Sequence, residues 1–173
     1  ASPEQVIWER YYSGPHGLPE FKTTRLVAPG ELLGPMKSAL ESYIGIYSDP
    51  TGTVRNDGAD SLVRFDHCRE VTIGGVRFEF FRVPHVYGKN IDKAAFGLEI
   101  SRGDTRIFWS GDTTFSPRWI REAADMPGNV HIFHECSFIP HFSGTVHTHW
   151  EELLTLPEDV LRRITLMHHT QVP

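Results

Sequence analysis

The chain has 173 residues, of which 39% are hydrophobic and 23% charged, a balance that excludes a disordered tail or a fibrous repeat and fits a soluble globular protein. Its formal charge of -5 gives no general attraction for nucleic-acid phosphates, so an anionic substrate has to be held by bound cations or a local basic cluster. Two cysteines, Cys68 and Cys136, form no CxxC pair, and no apolar run approaches the ~20 residues of a membrane span; this excludes a disulfide framework and points to a reducing, cytoplasmic setting with no membrane partner.

The opening Ala1-Ser2-Pro3-Glu4 lacks the basic and apolar regions of a signal peptide and reads as the continuation of an earlier segment. Ser2-Pro3 starts a predicted helix that runs to Tyr12 and is ended by Ser13-Gly14-Pro15. A short strand is predicted over Thr24 to Val27 and a helix over Gly30 to Leu40 despite Pro35. Asp, Gly, Asn and Thr collect between Ser48 and Asp60, which reads as an exposed turn or loop. Strands then dominate: Ser61 to Phe65, Arg69 to Ile73, a Gly74-Gly75 hairpin turn, and Val76 to Val83 with period-two alternation. Ala95 to Ser101 and Thr105 to Ser110 flank Arg102-Gly103-Asp104, a second hairpin signal. A helix from Ser116-Pro117 to about Asp125, a strand over Asn129 to Phe133, a short helix after Leu156-Pro157 and a last strand over Ile164 to Met167 complete the pattern. A β-rich run followed by strand–helix alternation predicts a layered α/β sandwich, with residues 1–173 as one domain.

Polar residues sit at the predicted strand ends. His85, Asp112, Glu135 and His168 each follow an apolar strand, where rigid elements can converge them on one rim of a sheet. In Trp109-Ser110-Gly111-Asp112-Thr113-Thr114 the glycine permits a sharp turn that presents the aspartate. Its two oxygens can bind two cations, and it equally reads as a cap of the turn or of the next helix. His85 follows a rigidifying proline, and a neutral imidazole is a good ligand for Zn(II), Mn(II) or Fe(II). Adjacent side chains at a strand end diverge, so one of His168 and His169 is a ligand, His168 being favoured. Seven of the ten histidines lie between His131 and His169. Glu135 paired with an imidazole from His147-Thr148-His149 could act as a general acid toward a leaving oxygen. The same stretch also reads as a helix start, with Thr148 as N-cap and Glu151 completing a capping box.

Taken in order, these motifs resemble the metallo-β-lactamase fold superfamily, in particular its branch of tRNA 3′-processing endonuclease Z and related phosphodiesterases. The resemblance runs from about Arg77 to His169 and implies part of an αββα sandwich with mixed sheets and flanking helices. It implies His85 and His168 as metal ligands, Asp112 as the carboxylate bridging two divalent ions (zinc foremost, Mn or Fe as alternatives), and Glu135 with His147 as the proton-donating pair. The family's His-x-His-x-Asp-His signature is absent from these 173 residues. Family order would put it before residue 1, so the expectation is a site completed by a preceding segment or a second chain.

Without it, each metal has two protein ligands where catalytic zinc usually has about three. The chain alone is then expected to bind metal weakly and to be inactive, and half a sandwich is expected to expose one sheet face, which a partner or a further copy would cover. The implied activity is hydrolysis of a phosphodiester or related ester, such as a nucleotide or other small-molecule ester, by water activated between two metals. The competing reading is a degenerate member of the fold that binds a ligand or partner without catalysis. A nucleic-acid-binding module is disfavoured by the acidic balance and the scattered basic residues Arg25, Lys37, Arg55 and Arg64.

Overall fold

The computed structural model describes residues 24–44, 63–88, 91–139 and 146–167. The chain divides into two compact units, Ala1–Cys68 and Arg69–Pro173. The helix read over residues 3–12, the turn over 48–60, and His168 and His169 lie outside the described residues.

In the first unit, strand β1 (Thr24–Ala28) leads through helix α1 (Gly30–Ile44) to β2 (Val63–His67), which pairs with β1 in parallel. A parallel pair needs a crossover, and α1 supplies it. The helix runs through Pro35 as expected, at the cost of one backbone hydrogen bond. Arg25 Nε donates to Asp66 Oδ2 across the two strands at 2.6 Å.

The second unit is a six-stranded sheet of β3 (Glu70–Ile73), β4 (Val76–Gly88), β5 (Ile91–Arg102), β6 (Thr105–Trp109), β7 (Asn129–Glu135) and β8 (Ile164–Met167), in that spatial order. Connection length sets its direction. Gly74 and Gly75, with φ of 58° and 77°, close a tight β3–β4 hairpin, and the pairing stays antiparallel through β6. Helix α2 (Pro117–Ala124) separates β6 from β7, and α3 (Trp150–Leu153) and α4 (Glu158–Leu161) separate β7 from β8. Both of these pairs are parallel.

Ile120, Ala123 and Ala124 recur at helical spacing on α2 and are buried against Phe108, Val130 and Ile132, with Leu153, Leu156 and Val160 in the same core. Trp119 adds an edge contact to Phe81 at 5.2 Å between ring centroids. Ser116 stands at the N-cap of α2 as expected, but its side chain makes no capping hydrogen bond; Pro117, with φ preset for a helix, begins the first turn.

The opposite sheet face is also apolar. The strand registers align Phe80, Leu98, Trp109 and Phe133 in one row across β4 to β7. Trp109 remains 45% exposed and Phe133 36%. On the core-facing side, toward the far end of the strands, Arg77 bonds to Glu70 and Glu79, and Arg106 to Glu99, so these guanidinium groups are neutralised by sheet carboxylates.

Candidate active site

His85 does not stand beyond a strand end, as the sequence suggests, but inside β4. The β4–β5 register slips between Val83 and Val86, so Pro84-His85 forms an irregularity within the long strand. Proline has no N–H to contribute to the ladder, and such bulges re-aim a side chain. The His85 Nδ1 lies 3.1 Å from the Val146 carbonyl oxygen, which can only accept. Nδ1 therefore carries the proton, and the Nε2 lone pair is left available. This is how a metal-binding imidazole is usually oriented.

Asp112 follows β6 after a backbone turn that only glycine accommodates. Gly111 has φ of 62°, and a Cβ there would lie 2.5 Å from the Phe96 carbonyl oxygen. The chain then exposes the Asp112 side chain and buries Thr113. Thr114 N–H and Thr113 Oγ1 both donate to the Pro84 carbonyl, at 2.8 and 2.9 Å, tying the Asp112 turn to the segment that carries His85.

Glu135 is the last residue of β7, and its side chain is 1% exposed. Its Oε1 accepts from the Thr113 backbone N–H at 2.5 Å, and its Oε2 lies 2.7 Å from His147 Nδ1. A carboxylate engaged in this way only accepts, so His147 Nδ1 is the donor and Nε2 points away from the pair. The His147 side chain is 40% exposed, and its ring centroid lies 5.7 Å from that of His85. A buried carboxylate thus holds an accessible imidazole beside a second imidazole.

His149 is not the partner of Glu135. It is 4% exposed and caps α3: its Nδ1 accepts from Glu151 N–H at 3.4 Å, while Glu152 Oε2 accepts from His149 N–H at 2.8 Å. The capping box expected at Thr148 and Glu151 is thus displaced by one residue. Thr148 instead turns inward, fully buried, and donates its hydroxyl to the Thr113 carbonyl.

Two neighbours of Glu135 are kept uncharged. Burial pushes the Cys136 thiol up to about 11, with the Glu135 carboxylate adding to the effect, so this free cysteine behaves as the small buried hydrophobe expected. His134 is 1% exposed, with Nδ1 2.7 Å from the Glu135 carbonyl oxygen, and burial holds its imidazole below its ordinary value of 6.5. A histidine buried neutral binds its proton more readily once unfolded. Stability is therefore full above about pH 6.5 and falls as pH drops toward the lower native value. His134→Gln is expected to flatten this slope in urea titrations between pH 7 and pH 5. A slope unchanged by the substitution would remove His134 as its source.

The structure brings His85, Glu135 and His147 onto one rim, with the Asp112 turn tied to the same rim through Thr113 and Thr114. His168 follows Met167, whose carbonyl accepts from Cys136 N–H, and itself lies outside the described residues. Among the described residues no three His, Cys, Asp or Glu side chains cluster as a metal cage. His85 and Asp112 nevertheless have the donor chemistry of a partial ligand set, an imidazole with free Nε2 and an exposed carboxylate. Sequence reasoning gave no role to Val146, made Thr148 an N-cap, and took Ser110 and Thr113 only as the motif flanking Asp112. The two consecutive hydroxyl residues after Asp112 were the only signal of the hub they form.

This sheet with its flanking helices is a metallo-β-lactamase fold. It superposes on the metallo-β-lactamase fold protein YhfI from Bacillus subtilis with a TM-score of 0.59 at 10% identity, covering 98% of this chain and 59% of that one. A diphosphatase from the PhnP family aligns with a TM-score of 0.51 at 14% identity, covering 96% of this chain and 53% of its own. Within that fold, the family described as Anti-Pycsar protein Apyc1 matches residues 52–173, and the chain belongs to this family. Anti-Pycsar protein Apyc1 of Paenibacillus sp. (strain J14) is 34% identical over 95 residues, 55% of this chain and 35% of that protein. The protein of the same name from Bacillus phage 010DV004 is 36% identical over 87 residues, 50% and 31% of the two chains. That of Saccharibacillus brassicae is 29% identical over 126 residues, 69% and 48%. The chain spans about a third to a half of the length of these relatives.

Proposed function

We propose that the complete protein is a metal-dependent phosphodiesterase acting on a cyclic nucleotide in the cytoplasm. The observation that carries this reading is the buried Glu135 holding His147 beside His85. His85, Asp112 and His168 would hold divalent metal, zinc foremost and Mn or Fe as alternatives, with Asp112 shared between two ions. The remaining ligands would come from a segment preceding this one or from a second chain. Bound there, two such ions supply the positive charge that activates water and stabilises a phosphoryl transition state.

The chain's own part is proton transfer. Glu135 accepts from His147 Nδ1 and stabilises the imidazolium, and His147 Nε2 delivers its proton to the departing oxygen. The acidic balance and the paired sheet arginines disfavour a large RNA substrate, and the anti-Pycsar designation of the relatives directs the choice to a small cyclic nucleotide. The apolar row through Trp109 and Phe133 suits the second layer of a sandwich, the layer a preceding segment would provide.

The leaving group provides the test. When water opens a cyclic nucleotide, the ribose oxygen leaves phosphorus as an alkoxide and needs a proton, whereas p-nitrophenolate does not. His147→Ala in the full-length protein is expected to slow cyclic nucleotide hydrolysis by about 10²–10⁴-fold, and bis-p-nitrophenyl phosphate hydrolysis by under ~10-fold. Equal losses on both substrates would remove His147 as the acid. A metal-loaded wild-type protein inert toward both would leave the non-catalytic binding reading in its place.

A further inference from the structure

Thr113 is the point at which the site's separate segments meet. Its N–H donates to Glu135 Oε1 at 2.5 Å, and its hydroxyl lies 2.9 Å from the Pro84 carbonyl and 3.0 Å from that of Thr114. Its own carbonyl accepts from Thr148 N–H at 3.1 Å and from Thr148 Oγ1 at 3.0 Å. The side chains of Thr113 and Thr148 are buried, at 1% and 0% exposure. One residue therefore contacts the segment before His85, the carboxylate of Glu135 and the segment after His147.

The flanking contacts extend the same arrangement. Val146, Thr148 and His147 are consecutive: Val146 orients His85 through its carbonyl, His147 pairs with Glu135, and Thr148 is anchored on Thr113. Ser110 Oγ accepts from Glu135 N–H at 3.0 Å, fixing the backbone from which the carboxylate projects. A buried hydroxyl network of this kind is rigid because each of its groups would lose a partner by moving.

We propose that Thr113 is a positioning residue for the acid pair: its hydroxyl holds the Pro84-His85 segment in register with Glu135 and His147. This inference rests on the hydrolytic reading above for its consequence in turnover, but not for the geometry itself. Thr113→Val keeps shape and volume and removes only the hydroxyl. The Pro84 carbonyl keeps its bond from Thr114 N–H at 2.8 Å, so no buried acceptor is orphaned there. Thr113→Ser keeps the hydroxyl and removes a methyl group.

The experiment compares these two variants, and Thr148→Val, in the full-length protein. Two quantities are read: kcat and KM for a cyclic nucleotide, and, in the metal-free protein, the ring-nitrogen chemical shifts of neutral His85, which report which nitrogen carries the proton. Thr113→Val is expected to lower kcat about 10–100-fold with KM within about twofold, the scale of losing an outer partner of a ligand or catalytic group. It should also shift His85 from the Nδ1–H form selected by the Val146 carbonyl toward the Nε2–H form favoured by a free imidazole. Thr113→Ser should restore kcat to within about threefold of wild type, and Thr148→Val should reproduce the tautomer shift if Thr113→Val does not fold. Equal effects of valine and serine, or an unaltered His85 tautomer in both valine variants, would overturn the proposal. A wild-type protein without hydrolytic activity would end the reading above, while the tautomer would still decide the role of Thr113.

Discussion

Replacing Asp112 by alanine in the full-length protein is expected to lower bis-p-nitrophenyl phosphate hydrolysis by at least ~100-fold, more than the loss of an outer-shell partner usually costs. The aspartate is presented to solvent by a turn that Gly111 alone permits, and that turn is bonded to the His85 segment. Its side chain is exposed, so the fold should hardly notice the change, with unfolding free energy moving by no more than about 0.5 kcal/mol. Bound metal measured on the purified protein should fall together with activity. A variant that keeps its activity and its metal would sink Asp112 as the bridging carboxylate.

Ile120→Ala should show the opposite profile, destabilising the protein by about 2–5 kcal/mol. Ile120 is fully buried on α2, in the cluster that includes Phe108, Val130 and Ile132, and the strands beneath it end in the candidate site. Truncation removes a transfer contribution and leaves a cavity that a sheet and helix cannot readily collapse around. Urea denaturation should resolve it clearly from Leu154→Ala, whose side chain is 59% exposed and should cost no more than about 0.5 kcal/mol. Comparable losses in the two variants would contradict the placement of the core.

The elements legible in the sequence were those whose signals are local. Gly74-Gly75 marked the β3–β4 hairpin, period-two alternation marked β4, and Ser116-Pro117 marked the start of α2. The sheet's change from antiparallel to parallel followed from which connections were long enough to hold a helix. Less legible were features decided by contacts distant in sequence. The slip at Pro84-His85 depends on how β4 pairs with β5, and no local pattern announces it. Local pattern left the choice between His147 and His149 open for the same reason, and only the family resemblance favoured His147. Both precede a helix, but only the first faces Glu135, 12 residues earlier in the chain.

The sequence by itself determined the candidate donor set: an aspartate after Ser110-Gly111, histidines and a glutamate at or near strand ends, and an order that resembles a known family. Periodicity and glycine placement act over a few residues and are readable without coordinates. Tertiary structure alone decided that His149 caps a helix while His147 faces the glutamate, which nitrogen of His85 carries the proton, and that Thr113 joins the parts. Those outcomes rest on hydrogen bonds between residues 12 to 61 positions apart, whose partners are chosen by the packing of the sheet. Asp112 remains the residue on which both levels converge. The motif around it marks it out, and the turn at Gly111 with the bonds from Thr113 and Thr114 to Pro84 ties it to the rim of His85.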